Sequence, residues 1–250
     1  MGLRSAFFRD LTRTAIDGLA EYFDAMEAQI ASMKTEDEKR IRSDIENLEL
    51  DRDQRIAEWD IAMQQHTATY DMLFTNWFRY SFVVLLCLFV EDKLRELCEV
   101  VVDVKGYPGL STPPRGDVVR TYMRHLNRAG MPASDSLWES IRDLYRVRNC
   151  IVHTSGNVTR SRDEHILRNI AERGLGITIS DFRYRGTPDP LYLEDNMLVI
   201  EPMYCNRAVS DVRQLFEELC DAVPLYSIDF DSLFRADEDE SNTSERADNQ

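Results

Sequence analysis

Six consecutive residues, Arg148-Asn149-Cys150-Ile151-Val152-His153, bring a fixed cation, an amide and an imidazole within two turns of a helix. Histidine is the one side chain that titrates near neutrality. Arginine grips phosphate oxygens in pairs, which lysine cannot do. These groups suit RNA cleavage by attack of a 2′-hydroxyl on the adjacent phosphate. His153 would take the 2′ proton or give one to the leaving 5′ oxygen. Arg148 would hold the phosphate and offset the charge growing in the transition state. Asn149, four residues before His153, is spaced to orient the imidazole. One His serves as acid and as base only in turn, so two copies of the chain facing each other would supply both roles at once. No carboxylate cluster with His at ligand spacing occurs, and no glycine-rich phosphate loop, so neither metal nor cofactor is expected.

The helix that must carry these groups is legible. Ser136 with Glu139 forms a capping box at its start, and Gly156 marks its stop. Leu137, Ile141, Leu144, Val147, Ile151 and Val152 form one stripe at ~100° per residue, and Arg148 falls roughly 20–30° from the stripe's centre. A cation facing a core is costly unless paired. Glu91, the first acid after the apolar run Phe82 to Val90, is the expected partner.

Charge is unevenly placed. The 250 residues carry a formal net charge of −15. From Arg115 to Arg185 there are 13 Arg against 8 Asp and Glu, a net of +5, which leaves −20 for the remainder. An acidic chain is no general nucleic-acid binder, because phosphate attraction needs local positive charge. The one basic stretch surrounds the six-residue motif. Arg146, Arg160, Arg162 and His165 in it are weaker candidates for contacting RNA, against the alternative of a solvated helix face. His125 and His66 read as surface or packing residues. Cys150 and Ser155 sit near His153, but no nucleophile elbow accompanies them.

The other elements follow from glycine, proline and apolar spacing. No Gly or Pro occurs between Gly18 and Gly106, and all 8 prolines come later. Residues 1–76 thus read as a long, coiled-coil-like helical hairpin, with Thr35 and Glu38 as a capping box that opens its second helix. A third helix is expected from about Trp77 to Val104, then helices from about Gly116 to Ala129 and from Asp163 to Glu172. Leu191-Tyr192-Leu193, the turn Glu194-Asp195-Asn196 and the strand Met197 to Ile200 read as a β-hairpin. A last helix carries Val209, Val212, Phe216, Leu219 and Val223. Residues 77–230 form the expected bundle, and 235–250 an acidic tail without apolar pattern, expected to be disordered. The five Cys include no CxxC pair and point to reduced thiols in a cytoplasmic protein. Phe82 to Val90 is short of the ~20 residues that span a bilayer, so no membrane association is expected.

The motif Arg148 to His153, late on a helix of a mainly α chain, resembles that of the HEPN domains (higher eukaryotes and prokaryotes nucleotide-binding). Leu88-Phe89-Val90-Glu91-Asp92-Lys93-Leu94, an earlier helix with an acidic residue, also resembles that family. The resemblance implies a helical bundle and a metal-independent endoribonuclease. It further implies a homodimer whose Arg and His form a composite site, and a setting in toxin–antitoxin systems, phage defence or RNA processing with a partner protein. Arg148, Asn149 and His153 would be the catalytic set. Family members that keep the fold without catalysis leave an alternative: an inactive interaction or nucleotide-sensing module that dimerises through its helices.

Overall fold

The computed structural model describes residues 3–110, 116–180 and 196–222. The expected acidic tail, Val223 and the expected strand Leu191 to Leu193 lie outside them. The chain is mainly α: α1 (Leu3–Glu46), α2 (Arg52–Thr67), α3 (Thr75–Lys105), α4 (Val118–Arg128), α5 (Asp135–Thr154), α6 (Glu164–Glu172) and α7 (Pro202–Asp221), with strands β1 (Ile177–Ile179) and β2 (Leu198–Ile200) before α7. A π-helical stretch, Ala68–Phe74, joins α2 to α3 without a break. The second and third expected helices are therefore one continuous rod.

The hairpin turns later than expected. Thr35 does not cap a new helix. Its hydroxyl donates to the Ala31 carbonyl at 3.0 Å inside α1, which runs on to Glu46. Threonine can make that i−4 bond wherever a helix continues, so a Thr-x-x-Glu pattern alone does not force a start. The box that is used is Asp51 with Gln54: Asp51 Oδ1 accepts the Gln54 N–H at 2.9 Å, and Gln54 Oε1 accepts the Asp51 N–H at 3.1 Å. The first half of α1 also belongs to the bundle. Phe8, Ile16 and Phe23 are buried in the common core, with Phe23 4.7 Å from Phe82 and Phe8 6.5 Å from Phe216 between ring centres. The arm proper is the second half of α1 with α2. At its root Glu27 accepts from Arg79 Nε and Nη2, each at 2.8 Å, and Arg79 Nη1 donates to the Ile200 carbonyl at 2.8 Å.

The core lies between α1, α3, α5 and α7. Val83, Leu86, Val90, Leu94 and Leu97 of α3 are all fully buried there. This accounts for the apolarity of one face of α3. An 18-residue stretch of the Arg52–Asp103 rod passes for a membrane span by length and composition, with a third of it buried in the bundle. β2 pairs antiparallel with β1, Ile177 opposite Ile200 and Ile179 opposite Leu198. The strand expected at Met197 to Ile200 is thus present as Leu198–Ile200, but its described neighbour is β1. Alternation along a strand fixes which face is buried and says nothing of which segment pairs with it.

Candidate active site at the end of α5

α5 begins one residue before the expected capping box. Ser134 precedes its first turn, and the Ser134 N–H is bound by Glu218 Oε2 of α7 at 2.7 Å. Leu137, Trp138, Ile141, Leu144, Val147 and Cys150 are buried, while Ile151 is half-buried and Val152 is 48% exposed. The buried face is therefore rotated away from Val152 relative to the expected stripe. Arg148 lies on its flank, half-buried, rather than near its centre.

The last turn is fastened from outside the helix. Ser155 at φ +54 and Gly156 at φ +87 reverse the chain, and the Gly156 N–H bonds back to the Cys150 carbonyl at 3.1 Å. This left-handed exit satisfies a carbonyl that the helix leaves open. The Gly156 carbonyl accepts from the Leu198 N–H at 2.9 Å, and Asn157 bridges Met197. The Tyr80 hydroxyl donates to the Leu198 carbonyl at 2.5 Å, and Asn76 Nδ2 donates to the same oxygen at 2.9 Å. A Cβ on Gly156 would overlap the Tyr80 phenol. Burial raises the Tyr80 phenol far above its ordinary range, so it remains a donor at any pH of interest. Tyr80, Asn76 and Gly156 are thus the residues that place the end of α5. Gly156 was legible only as a helix stop, and the other two carried no sequence signal.

Of the motif residues, Arg148 and Asn149 are in contact: Arg148 Nη1 donates to Asn149 Oδ1 at 3.0 Å. His153 stands exposed one turn on, in the last turn of α5, and makes no hydrogen bond among the described residues. Asn149 therefore holds the guanidinium, not the imidazole as expected. Arg148 makes no ion pair with Glu91 among the described residues. The reason is helix direction. α3 and α5 run antiparallel, with Tyr80 at the level of Gly156 and the Cys87 carbonyl accepting from Tyr145 at 3.0 Å. Glu91 lies one turn beyond Cys87, toward the start of α5 and away from Arg148. The two charges still share neighbours. Burial raises the Cys87 thiol and the Tyr145 phenol, Arg148 opposes that rise at both, and Glu91 adds to it.

The secondary candidates separate. Arg146 donates to Asp143 Oδ1 at 2.8 Å, and Arg173 pairs with the other oxygen of the same 7%-exposed carboxylate. Arg146 is thereby engaged by a carboxylate of its own helix. Arg160, Arg162 and His165 are exposed on the segment that follows α5, where Asn157 caps the short helix Val158–Arg160. Cys150 is fully buried, and burial raises its thiol, which argues against a nucleophile there. No group of three or more His, Cys, Asp and Glu among the described residues is placed to hold a metal ion.

Exposed apolar residues occur on both α3 and α5. Trp77 (58% exposed), Val84 and Leu88 (52%) follow one another at helical spacing along the outer side of α3. Val152 adjoins His153 on α5. Compared with known proteins, the chain matches no family model, no curated protein and no solved structure.

Proposed function

We propose that the chain is a metal-independent endoribonuclease of the HEPN type, working as a homodimer with the α5 ends of two copies facing each other. One observation carries this reading. The end of α5 holds a guanidinium braced by an amide and an exposed, unengaged imidazole, on a helix end tied down by Tyr80, Asn76 and Gly156. In the cleavage step His153 removes the 2′ proton. The 2′ oxygen bonds to phosphorus as the bond to the 5′ oxygen breaks. A second imidazole, from the partner copy, delivers a proton to that leaving oxygen. The products are a cyclic 2′,3′-phosphate and a 5′-hydroxyl. Arg148 balances the phosphorane charge. Exposed Val152 next to His153, with Trp77 and Leu88 exposed on α3, supports a facing copy, since exposed large apolar residues are candidates for a contact surface. Arg160, Arg162 and His165 would extend the phosphate contacts. The setting implied by the resemblance, toxin–antitoxin or phage defence in the cytoplasm with a restraining partner protein, belongs to the same proposal.

The test is purified full-length protein with RNA, in excess chelator, beside H153A. His153→Ala should lower cleavage ~10²–10⁴-fold with unchanged melting temperature, and the wild-type products should end in cyclic phosphate. Cleavage that survives in clean H153A protein, that requires added magnesium or manganese, or that extends to DNA overturns the reading. A second reading, an inactive interaction or nucleotide-sensing module, draws on the fact that Asn149 engages Arg148 and leaves His153 unoriented. Absence of cleavage by an intact dimer would favour it.

A further inference from the structure

The outer side of α3 carries an apolar row that stands largely open. Phe74 (42% exposed), Trp77 (58%), Leu85 (40%) and Leu88 (52%) lie on it, with half-buried Val84 and exposed Ser81 between them. Phe74 closes the π-helical stretch, and the others belong to α3. At ~100° per residue each of them falls within ~60° of Ser81, so they share one face. Asp92 and Arg95, paired with each other, end the row. The Ser81 hydroxyl donates to the Trp77 carbonyl at 2.9 Å, so apolar surface can cover it without leaving a donor unpaired. The four large side chains offer roughly 300–400 Å², a size at which exposed apolar patches are often contact surfaces.

We propose that this face packs against the same face of a second copy, α3 against α3 in opposite directions, with the twofold axis at Ser81. The row is self-complementary about that residue. Phe74 and Leu88 stand seven positions to either side of it, about 10 Å along the helix, and Trp77 and Leu85 stand four to either side. In the antiparallel arrangement Phe74 meets Leu88 of the second copy, and Trp77 meets Leu85. Each large ring then lies opposite a leucine, the pairing of large with small that lets facing layers interdigitate. The parallel arrangement would stack Trp77 on Trp77 at one end and set Asp92 against Asp92 at the other. A small serine at the axis lets the two helices approach. One patch is used twice, as in isologous interfaces. The seam deepens the homodimer proposed for the α5 ends and rests on that reading. Tyr80, next to Ser81, meets Gly156 at the end of α5, so an axis at Ser81 brings the two α5 ends to one level along the seam. The patch is about half of the ~800 Å² that a standard interface buries per partner, and surface beside the seam, the α5 ends included, supplies the remainder.

Cross-linking of the full chain tests this. The five native cysteines are buried, so an introduced surface cysteine is the one that a short bifunctional maleimide reaches. Ser81→Cys should be captured as a covalent dimer. Phe74→Cys mixed with Leu88→Cys should be captured as a mixed dimer, in preference to either variant with itself. Leu85→Asp, at an exposed position, should weaken the dimer about 30-fold or more in light scattering over a concentration series, with unchanged melting temperature. A wild type that is monomeric at micromolar concentration, or Ser81→Cys that is not captured, overturns the seam. Preferential capture of Phe74→Cys with itself overturns the antiparallel pairing. Wild type that floats with phosphatidylcholine vesicles, when Leu85→Asp does not, overturns the proposal by giving the face to a lipid surface. A dimer that survives Leu85→Asp and still cleaves RNA through His153 overturns the seam alone. Captured dimers that cleave no RNA sustain the seam and sink the ribonuclease reading alone.

Discussion

The end of α5 and the tip of the α1–α2 arm are both helix ends that face outward, and they are held in contrasting ways. α5 is gripped by residues remote in sequence: Tyr80 and Asn76 through the Leu198 carbonyl, and Gly156 through β2. The arm tip is held by neighbours, the Asp51–Gln54 box and the Arg55 bond to the Leu50 carbonyl at 3.3 Å. The motif end shows polar groups on a rigid support. The tip shows Leu48 (48% exposed) and Ile56 (50%) on a two-helix seam. Chemistry at phosphorus needs groups held within ~0.5 Å. Recognition of a partner tolerates more, and local bonds suffice for it.

The contrast can be broken experimentally. Beyond the loss expected for H153A, the largest effect should come from Gly156→Ala. It places a side chain at positive φ against the Tyr80 phenol, so about 2–4 kcal/mol of stability should be lost, with cleavage falling alongside. Denaturant titration would check it. A neutral result would mean that Tyr80 can move aside and that the α5 end is not locked. Next is Glu27→Gln, which strips one partner from the bidentate pair with Arg79 at the arm root. A cost of about 1.5–3 kcal/mol is expected, without change in cleavage per folded molecule. Asp51→Ala should cost about 1 kcal/mol and act on the arm tip alone. Hydrogen exchange faster over residues 47–60, with α5 unaffected, is the expected pattern. Loosening that reached α5 would show that the two ends are coupled.

Much of this fold was legible because periodicity is local. The α5 face, the α7 stripe and the glycine stops follow from residue types a few positions apart. What was misread depends on contacts between remote segments. Thr35-x-x-Glu38 and Asp51-x-x-Gln54 look alike as strings, and only the place where α2 can fold back on α1 decides between them. Glu91 is the partner expected for Arg148 because Arg148 reads near the centre of an apolar stripe and Glu91 is the first acid after the run Phe82 to Val90. The antiparallel register of α3 on α5, fixed by Tyr80 against Gly156, sets them apart. The identities of the motif residues are readable from the sequence, and the bond from Arg148 to Asn149 is not.

The smallest expected effect concerns pH. His125 packs edge-on to Tyr107 at 5.3 Å, with its Nε2 buried and without a partner among the described residues. Burial first, and then the Arg128 charge, lower its affinity for a proton in the fold. The unfolded chain, with histidine near 6.5, binds that proton more readily. The stabilisation is therefore complete above about pH 6.5 and declines as pH falls below it. His125→Gln should flatten the dependence of melting temperature on pH between about 7 and 5. An unchanged slope would place the effect elsewhere.

The π-helical stretch Ala68–Phe74 sets the phase of the whole rod. An i→i+5 residue turns less than the ~100° of an α residue, so seven of them give back roughly one residue's rotation. Without that correction the apolar rows of α2 (Ile56, Trp59, Met63) and of α3 (Phe78, Phe82) would face different sides of the rod, and α1 could not lie along both. The bearing of the arm is in this sense a matter of counting. Winding all seven residues as α-helix would swing the arm around its axis by one residue's rotation, ~100°. Removing one residue from the stretch would instead let the rod close into uniform α-helix with the two apolar rows still in phase.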